Sequence, residues 1–270
     1  RTLNIALKQE NNLRISGIVN GTTNYILTKM EKDGAAFDEV LREAQEKGFA
    51  ERNPEADVEG YDACRKIAIL SSLMSGKTVD YKDIYTEGIT KLTTTDFLYA
   101  EKMEMTVKLL AMSRQTQEGY LTMVTPMLIG PENPLYSVNG VFNAISVKGN
   151  MLGDSMYYGR GAGKLPTASA VVADLVEAAR FMGTHLPIDW SEEKAALAKM
   201  PLSRRRFFVR LDRNKVPEAR AAAEFGNGRV VFLEQCPDEY GYITPVMSEG
   251  EFAEKFEKLD GAITRIRMEE

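Results

Sequence analysis

Asp62 and Lys66 stand four residues apart in a stretch that is otherwise mostly apolar. On a helix that spacing puts a carboxylate and an ammonium on one face, a turn apart. Two readings are open. The pair can be a stabilising helix ion pair worth ~0.3 kcal/mol. It can also be an acid–base pair facing a cleft, where partial burial pulls a lysine toward working pH and lets it pass a proton. Glu51, Asp57 and Glu59 lie just upstream on a polar segment. Three carboxylates there can hold a substrate ammonium or a divalent ion, or can simply be solvated. Gly159-Arg160-Gly161-Ala162-Gly163 precedes a second helix, and glycines at a helix start let backbone N–H groups approach an anion. The run is not the dinucleotide fingerprint: the third glycine of G-x-G-x-x-G falls on Lys164, and that pattern occurs nowhere in the chain.

These groups need elements to hold them. Ala63, Cys64, Ile67, Ala68, Leu70, Leu73 and Met74 cover most of a helix over 61–75, which is therefore expected to be largely buried. Asp62, Arg65, Lys66 and Ile69 share its remaining stripe. Ahead of it come an apolar stretch at 13–19, an Asn20-Gly21 turn, and a helix capped by Thr22 or Thr23 that runs through Ile26, Leu27 and Met30. A helix over 37–47 stops at Gly48, and 49–60 is polar and turn-rich. Residues 83–87 read as a turn or short helix, and 100–112 as helical. From Glu118 the period shortens, predicting strands over 120–129, 141–147 and 156–158. A small-residue helix over 167–181 and a linker over 186–203 follow. The last 70 residues read as their own unit: strand 207–211, helix 217–225, strands 229–234 and 240–247, helix 249–259 and strand 262–268. That βαββαβ order implies a small sheet with helices on one face. The fold class is α+β.

Composition narrows the function classes. The chain has 270 residues, a hydrophobic fraction of 44% and a net charge of −5. This is an ordinary globular balance, too acidic for a whole-chain nucleic-acid binder. No apolar run reaches the ~18 residues of a membrane-spanning helix, so no membrane role is expected. Cys64 and Cys236 are isolated, which argues against a disulfide framework or zinc site and for a reducing, cytoplasmic setting. His185, the only histidine, sits in a Gly183-Thr184-His185-Leu186-Pro187 turn and reads as a surface residue. No metal site is expected. The first residue is Arg1, with no signal-peptide pattern, and the expectation is a chain that begins inside a longer protein.

Several motifs, in order, resemble homoserine dehydrogenases. They are Gly17-Ile18-Val19-Asn20-Gly21-Thr22-Thr23-Asn24-Tyr25-Ile26-Leu27, Ala56-Asp57-Val58-Glu59-Gly60-Tyr61-Asp62-Ala63-Cys64-Arg65-Lys66, Glu87-Gly88-Ile89, Lys108-Leu109-Leu110-Ala111, Phe142-Asn143-Ala144, and Tyr158-Gly159-Arg160-Gly161-Ala162-Gly163-Lys164-Leu165-Pro166. The resemblance covers 1–185 and implies an oxidoreductase that interconverts L-homoserine and L-aspartate 4-semialdehyde with NAD or NADP, on the route to threonine, methionine and isoleucine. It implies that Lys66 donates a proton to the carbonyl oxygen and that Asp62 bonds the reacting end of the substrate. Glu51 and Asp57 then bind substrate, Glu51 through its amino group, while Gly21 and Thr22 line the same pocket. Gly161 and Gly163 touch the cofactor. The family's dinucleotide domain, a second lysine and the monovalent-cation segment are expected upstream of residue 1, so this chain alone is expected to be inactive. Phe49 stands where a tyrosine is usual, Asn53 where an aspartate is common, and Asn133 where a histidine often precedes Pro134. Residues 204–270 resemble an ACT module, although the turn from Asp212 to Pro217 lacks the glycine of an effector site, which leaves threonine a doubtful effector. The implied organisation is a substrate and dimerisation domain over 1–155, a strand–glycine–helix segment over 156–185 that packs on the dinucleotide domain, the linker, and the ACT-like module. A homodimer or higher homo-oligomer is implied as well. The other reading is a non-catalytic assembly or amino-acid-sensing module that retains the fold.

Overall fold

The computed structural model describes residues 12–161, 163–184 and 190–269. Ala162, His185 and the segment before Asn12 lie outside the described residues, and the readings placed on them are left there. The elements in chain order are β1 (Asn12–Ile18), α1 (Gly21–Asp33), α2 (Phe37–Glu46), α3 (Glu55–Val58), α4 (Tyr61–Ser75), β2 (Lys77–Thr78), β3 (Tyr85–Thr86) and α5 (Thr94–Lys102). Then come β4 (Thr106–Thr116), β5 (Gly119–Ile129), β6 (Phe142–Gly149), β7 (Asp154–Arg160), α6 (Lys164–Arg180), β8 (Ser191–Lys194), β9 (Arg204–Arg205) and β10 (Phe207–Asp212). The chain ends with α7 (Glu218–Phe225), β11 (Arg229–Val231), β12 (Glu239–Ile243), β13 (Met247–Ser248), α8 (Glu249–Glu257) and β14 (Ala262–Met268).

Among the described residues one ten-stranded mixed sheet runs in the order β11-β12-β10-β14-β5-β4-β1-β6-β7, with β3 also paired to β5. Helices pack on it, so the α+β class holds. The β4–β5 hairpin is its spine, in register from Thr106 opposite Ile129 to Thr116 opposite Gly119. Val107, Leu109 and Ala111 of β4 face one core, under α1, α4 and α5, while Leu110 and Met112 face a second core closed by Leu135 and Val138. This two-sided burial explains one correction. The run 100–112 was expected to be helical, but α5 stops at Lys102 and β4 begins at Thr106, with Glu104 at φ 59 making the break. Lys108 to Met112 are good helix formers, and a strand buried on both faces shows no period-2 alternation to contradict them.

Other boundaries moved for local reasons. Asn20, not Thr22 or Thr23, caps α1: its side chain accepts from Thr23 N–H at 2.9 Å. Residues 83–87 hold β3, whose two residues pair parallel with Met123 and Val124 of β5. The segment 186–203 is not bare linker, since β8 pairs with β2 and Tyr120 N–H donates to Ala196 O at 2.8 Å. Strand 240–247 divides into β12 and β13 around Pro245. The helix over 61–75 keeps its expected bounds, though Leu73 and Met74 are only half-buried.

In 204–270 the strand order β11-β12-β10-β14 puts Phe207, Val209 and Leu211 toward α7 and α8, where Phe207 stacks on Phe252 at 3.8 Å. The alternate residues of β10 face α5: Phe208 meets Tyr99 at 5.3 Å, and Arg210 donates to Asp96 at 3.0 Å. The unit therefore buries both faces of its sheet, and β14 pairs parallel with β5 at Met127 and Leu128.

Lys108 is fully enclosed on β4 and, among the described residues, has one hydrogen-bond partner, Asn139 Oδ1 at 2.8 Å. Burial pushes its ammonium down to about 8. The sign follows by linkage: the folded chain holds this proton less tightly than the unfolded chain. The penalty is full below pH 8 and is relieved as pH rises toward the usual lysine value. Lys108→Met is therefore expected to raise stability at pH 7 by about 2–3 kcal/mol and to remove the gain between pH 8 and 10. Urea unfolding at several pH values measures both, and a destabilised Lys108→Met chain would refute the assignment.

Candidate active site

The site forms where β1 turns into α1 against the start of α4. Gly60 precedes α4 with φ 81, and a Cβ there would sit 3.3 Å from Thr86 Cγ2 and from Val124 Cγ1. This tight left-handed corner sets the direction in which α4 leaves the polar segment. Asp62 lies in the first turn of α4, where the helix dipole favours a carboxylate. Lys66, one turn on, donates to Asp62 Oδ2 at 2.7 Å and to the Val19 carbonyl at 2.9 Å. An ammonium has three donors, so one is left for a ligand. Lys66 is only partly buried: its side chain is 46% exposed and that of Asp62 33%. Both are reachable.

Asp57 on α3 joins the pair through a residue that sequence reasoning did not single out. Asn20 Nδ2 donates to Asp57 Oδ1 at 2.7 Å and to Asp62 Oδ2 at 2.9 Å. Gly21 and Thr22 open α1 beside it. Thr22 Oγ1 donates to the Phe49 carbonyl at 2.6 Å, and the Phe49 ring packs edge-on against Tyr25 at 5.0 Å. These contacts tether the loop that carries Glu51, whose side chain is exposed and makes no hydrogen bond among the described residues. Lys66, Asp62 and Asp57 are thus one hydrogen-bonded cluster, with Gly21 and Thr22 adjoining it and Glu51 reached through Phe49. Glu59 turns away and accepts from Thr90 Oγ1 at 3.0 Å.

The glycine run approaches from β7. A Cβ on Gly161 would fall 2.2 Å from Asn143 Nδ2, so a larger residue there would have to displace the Asn143 amide. Asn143 Nδ2 lies 3.4 Å from the same Val19 carbonyl that holds Lys66, and its Oδ1 is buried without a hydrogen-bond partner among the described residues. Gly163, at φ 113, precedes α6. No residue of α6 is buried, and Leu165, Val171, Val172 and Leu175 are all more than half exposed. Sequence reasoning missed Asn20 and Asn143. For Asn20 the signal was the preference for Asn at a helix cap. For Asn143 spacing offered none. Among the described residues no group of three His, Cys, Asp or Glu side chains could hold a metal ion, and no helix is long and apolar enough to cross a membrane.

A half-exposed lysine–aspartate pair at a sheet–helix corner, joined to Asp57 through Asn20, places an ammonium and two carboxylates together on an α+β fold. Comparison with known proteins identifies the family. The homoserine dehydrogenase family model matches residues 1–176. A homoserine dehydrogenase from Mycobacterium bovis is 42% identical over 243 residues, which is 87% of this chain and 55% of that protein. One from Neisseria gonorrhoeae is 48% identical over 168 residues, 62% of this chain and 39% of that protein. The crystal structure of a homoserine dehydrogenase from Thiobacillus denitrificans matches 100% of this chain and 67% of its own with a TM-score of 0.90 and 33% identity. The chain belongs to the homoserine dehydrogenase family, and it spans about half the length of the curated relatives it matches.

Proposed function

We propose that this chain is the substrate-binding part of an oxidoreductase that interconverts L-homoserine and L-aspartate 4-semialdehyde, in the biosynthesis of threonine, methionine and isoleucine. The observation that carries this reading is the convergence of Lys66, Asp62 and Asp57 on one corner, with one lysine donor left over. Reduction of an aldehyde builds negative charge on its oxygen, and a positioned ammonium stabilises that charge and then gives up a proton. Lys66 is that donor. Asp62 aims it and bonds the reacting end of the substrate. Glu51, tethered through Phe49 and Thr22 but otherwise uncommitted, takes the substrate ammonium, Asp57 binds alongside, and the first turn of α1 at Gly21-Thr22 offers N–H groups to the substrate carboxylate.

NAD or NADP supplies or takes the hydride when bound. The residues here fit its edge: Gly161 packs closely on the Asn143 amide and Gly163 starts α6 in a conformation that favours glycine. A hyperthermophilic archaeal homoserine dehydrogenase mutant, 31% identical with a TM-score of 0.55, is described in complex with NADPH. The principal dinucleotide site lies outside residues 12–269 on this reading, and the exposed apolar side of α6 is the surface that meets the dinucleotide-binding part. The remaining readings are part of the same proposal: a cytoplasmic homodimer or larger homo-oligomer with an ACT-like module over 204–270. Threonine binding there is weak or absent, because the turn from Asp212 to Pro217 has no glycine.

Titration calorimetry of this chain with L-homoserine tests the substrate reading. Millimolar binding is expected, weakened about tenfold in Glu51→Gln, the effect of one charge-assisted hydrogen bond. No heat in the wild-type chain, or equal affinity in Glu51→Gln, would overturn it.

A further inference from the structure

Asn20 is 6% exposed, and both ends of its side-chain amide are committed. Oδ1 accepts from Thr23 N–H at 2.9 Å and from Thr23 Oγ1 at 3.1 Å, capping α1. Since the cap needs an oxygen, the NH2 group must face the other way. It does so between two carboxylates from two different elements, donating to Asp57 of α3 at 2.7 Å and Asp62 of α4 at 2.9 Å. Lys66 is the cation at this corner, and it bonds Asp62 but not Asp57. Without the amide between them, two like charges would face each other with one cation on one side.

We propose that Asn20 is a positioning residue of the active site, whose amide joins Asp57 to Asp62 and thereby decides which carboxylate oxygens a substrate meets. This rests on the oxidoreductase reading above. Asp62 Oδ2 takes both Asn20 and Lys66, and Asp57 Oδ1 takes Asn20. The opposite oxygens, Asp62 Oδ1 and Asp57 Oδ2, have no hydrogen-bond partner among the described residues and are the ones presented to ligand. The backbone of the same corner holds the third member, because Val19 O accepts from Lys66. One dipeptide, Val19-Asn20, thus fixes the proton donor, its aspartate and the substrate aspartate relative to one another. Displacing a reacting group by ~1 Å costs on the order of 10²-fold in rate, so the amide acts on catalysis without touching substrate.

The test is Asn20→Asp in the intact enzyme that carries this chain, assayed for L-homoserine oxidation across pH. Aspartate caps a helix as well as asparagine does, so α1 keeps its start while two donors become acceptors. We expect kcat to fall at least ~30-fold at neutral pH, with a smaller change in KM. The rate should partly recover toward acid pH, as the introduced carboxyl group takes up a proton and can donate again. Asn20→Ser, which keeps a cap but has no charge, should lose rate with no such recovery. Thermal unfolding of this chain should place Asn20→Ser within a few degrees of wild type, and Asn20→Asp lower at neutral pH, where three carboxylates meet, and nearer wild type in acid. Wild-type kcat in Asn20→Asp, or a loss whose pH profile parallels the wild type's, would overturn the role of Asn20. A wild-type enzyme that does not oxidise L-homoserine would overturn the oxidoreductase reading itself, and the role with it.

Discussion

Replacing Lys66 by alanine is expected to lower the maximal rate of the intact enzyme at least ~10²-fold, the usual effect of losing general-acid help, if Lys66 has the role proposed above. The geometry makes this a specific expectation. Two of the three ammonium donors are spent on Asp62 and on the Val19 carbonyl, so the third has a fixed direction and no donor in the cluster can replace it. Affinity for aspartate semialdehyde should change much less, because in the proposed site Glu51 and Asp57 take the other end of the substrate. Asp62→Asn should also slow the reaction, by loosening Lys66, while Glu51→Gln acts mainly on affinity. Arg65→Ala is the control: it is exposed, its guanidinium lies 5.6 Å from the centre of the Tyr81 ring, and it is not part of the cluster. Steady-state kinetics of the four variants decide the matter. If Lys66→Ala behaves like Arg65→Ala, the pair is an ordinary helix ion pair and the proton comes from elsewhere.

Much of this site was legible because its chemistry sits on one amphipathic helix. The apolar positions from Ala63 to Leu70 fixed the orientation of α4, and its polar stripe then had to carry Asp62 and Lys66. Glycines bracketed it, Gly60 before and Gly76 after, so its ends were legible too. What spacing could not show is the third dimension. Asn20 lies 37 residues from Asp57 and 42 from Asp62, and only the approach of the β1–α1 corner to α3 and α4 brings them together. Period-based reasoning failed where a segment is buried on both sides, as at β4, and where pairing comes from a distant strand, as at β3 and β8.

The helix that carries the site is also braced from the far end of the chain. Ile89 N–H donates to Val58 O at 2.8 Å, and Glu87 N–H donates to Val124 O, which locks the approach to Gly60 against β5. The Glu87 carboxylate is in turn held by Arg267 at 2.6 Å and by Tyr85 Oη at 2.9 Å. The nearby Arg267 and Arg265 guanidiniums hold it below the usual carboxylate range against the opposing effect of burial. Arg267 also donates to Glu249 through two nitrogens, at 2.7 and 3.0 Å. A strand 200 residues downstream of α4 therefore supports its first turn, through charges that are buried and paired.

Asp96→Ala is expected to remove about 3 kcal/mol of stability, a large share of what a domain has. Asp96 is fully buried and has four donors around it: Thr93 N–H at 2.7 Å, Thr93 Oγ1 at 2.9 Å, Arg210 Nη1 at 3.0 Å and Thr264 Oγ1 at 2.8 Å. The first is its half of the capping box that starts α5, the second a further bond to the same residue, and losing a cap costs about 1 kcal/mol. The others tie α5 to β10 and β14. Removing the carboxylate leaves the Arg210 guanidinium, itself buried, with Glu239 and Thr93 alone, and strands the Thr264 hydroxyl. Because Glu239 still holds Arg210 through two nitrogens, the loss should fall at the low end of the ~3–5 kcal/mol seen when a buried ion pair is broken. Asp96→Asn, which keeps an acceptor for the cap but not the charge, should cost about half as much. Urea unfolding followed by both circular dichroism and Trp190 fluorescence measures these losses. A shift under ~1 kcal/mol for Asp96→Ala would mean that the apolar contact of Phe208 with Tyr99, and not this carboxylate, is what fastens β10 to α5.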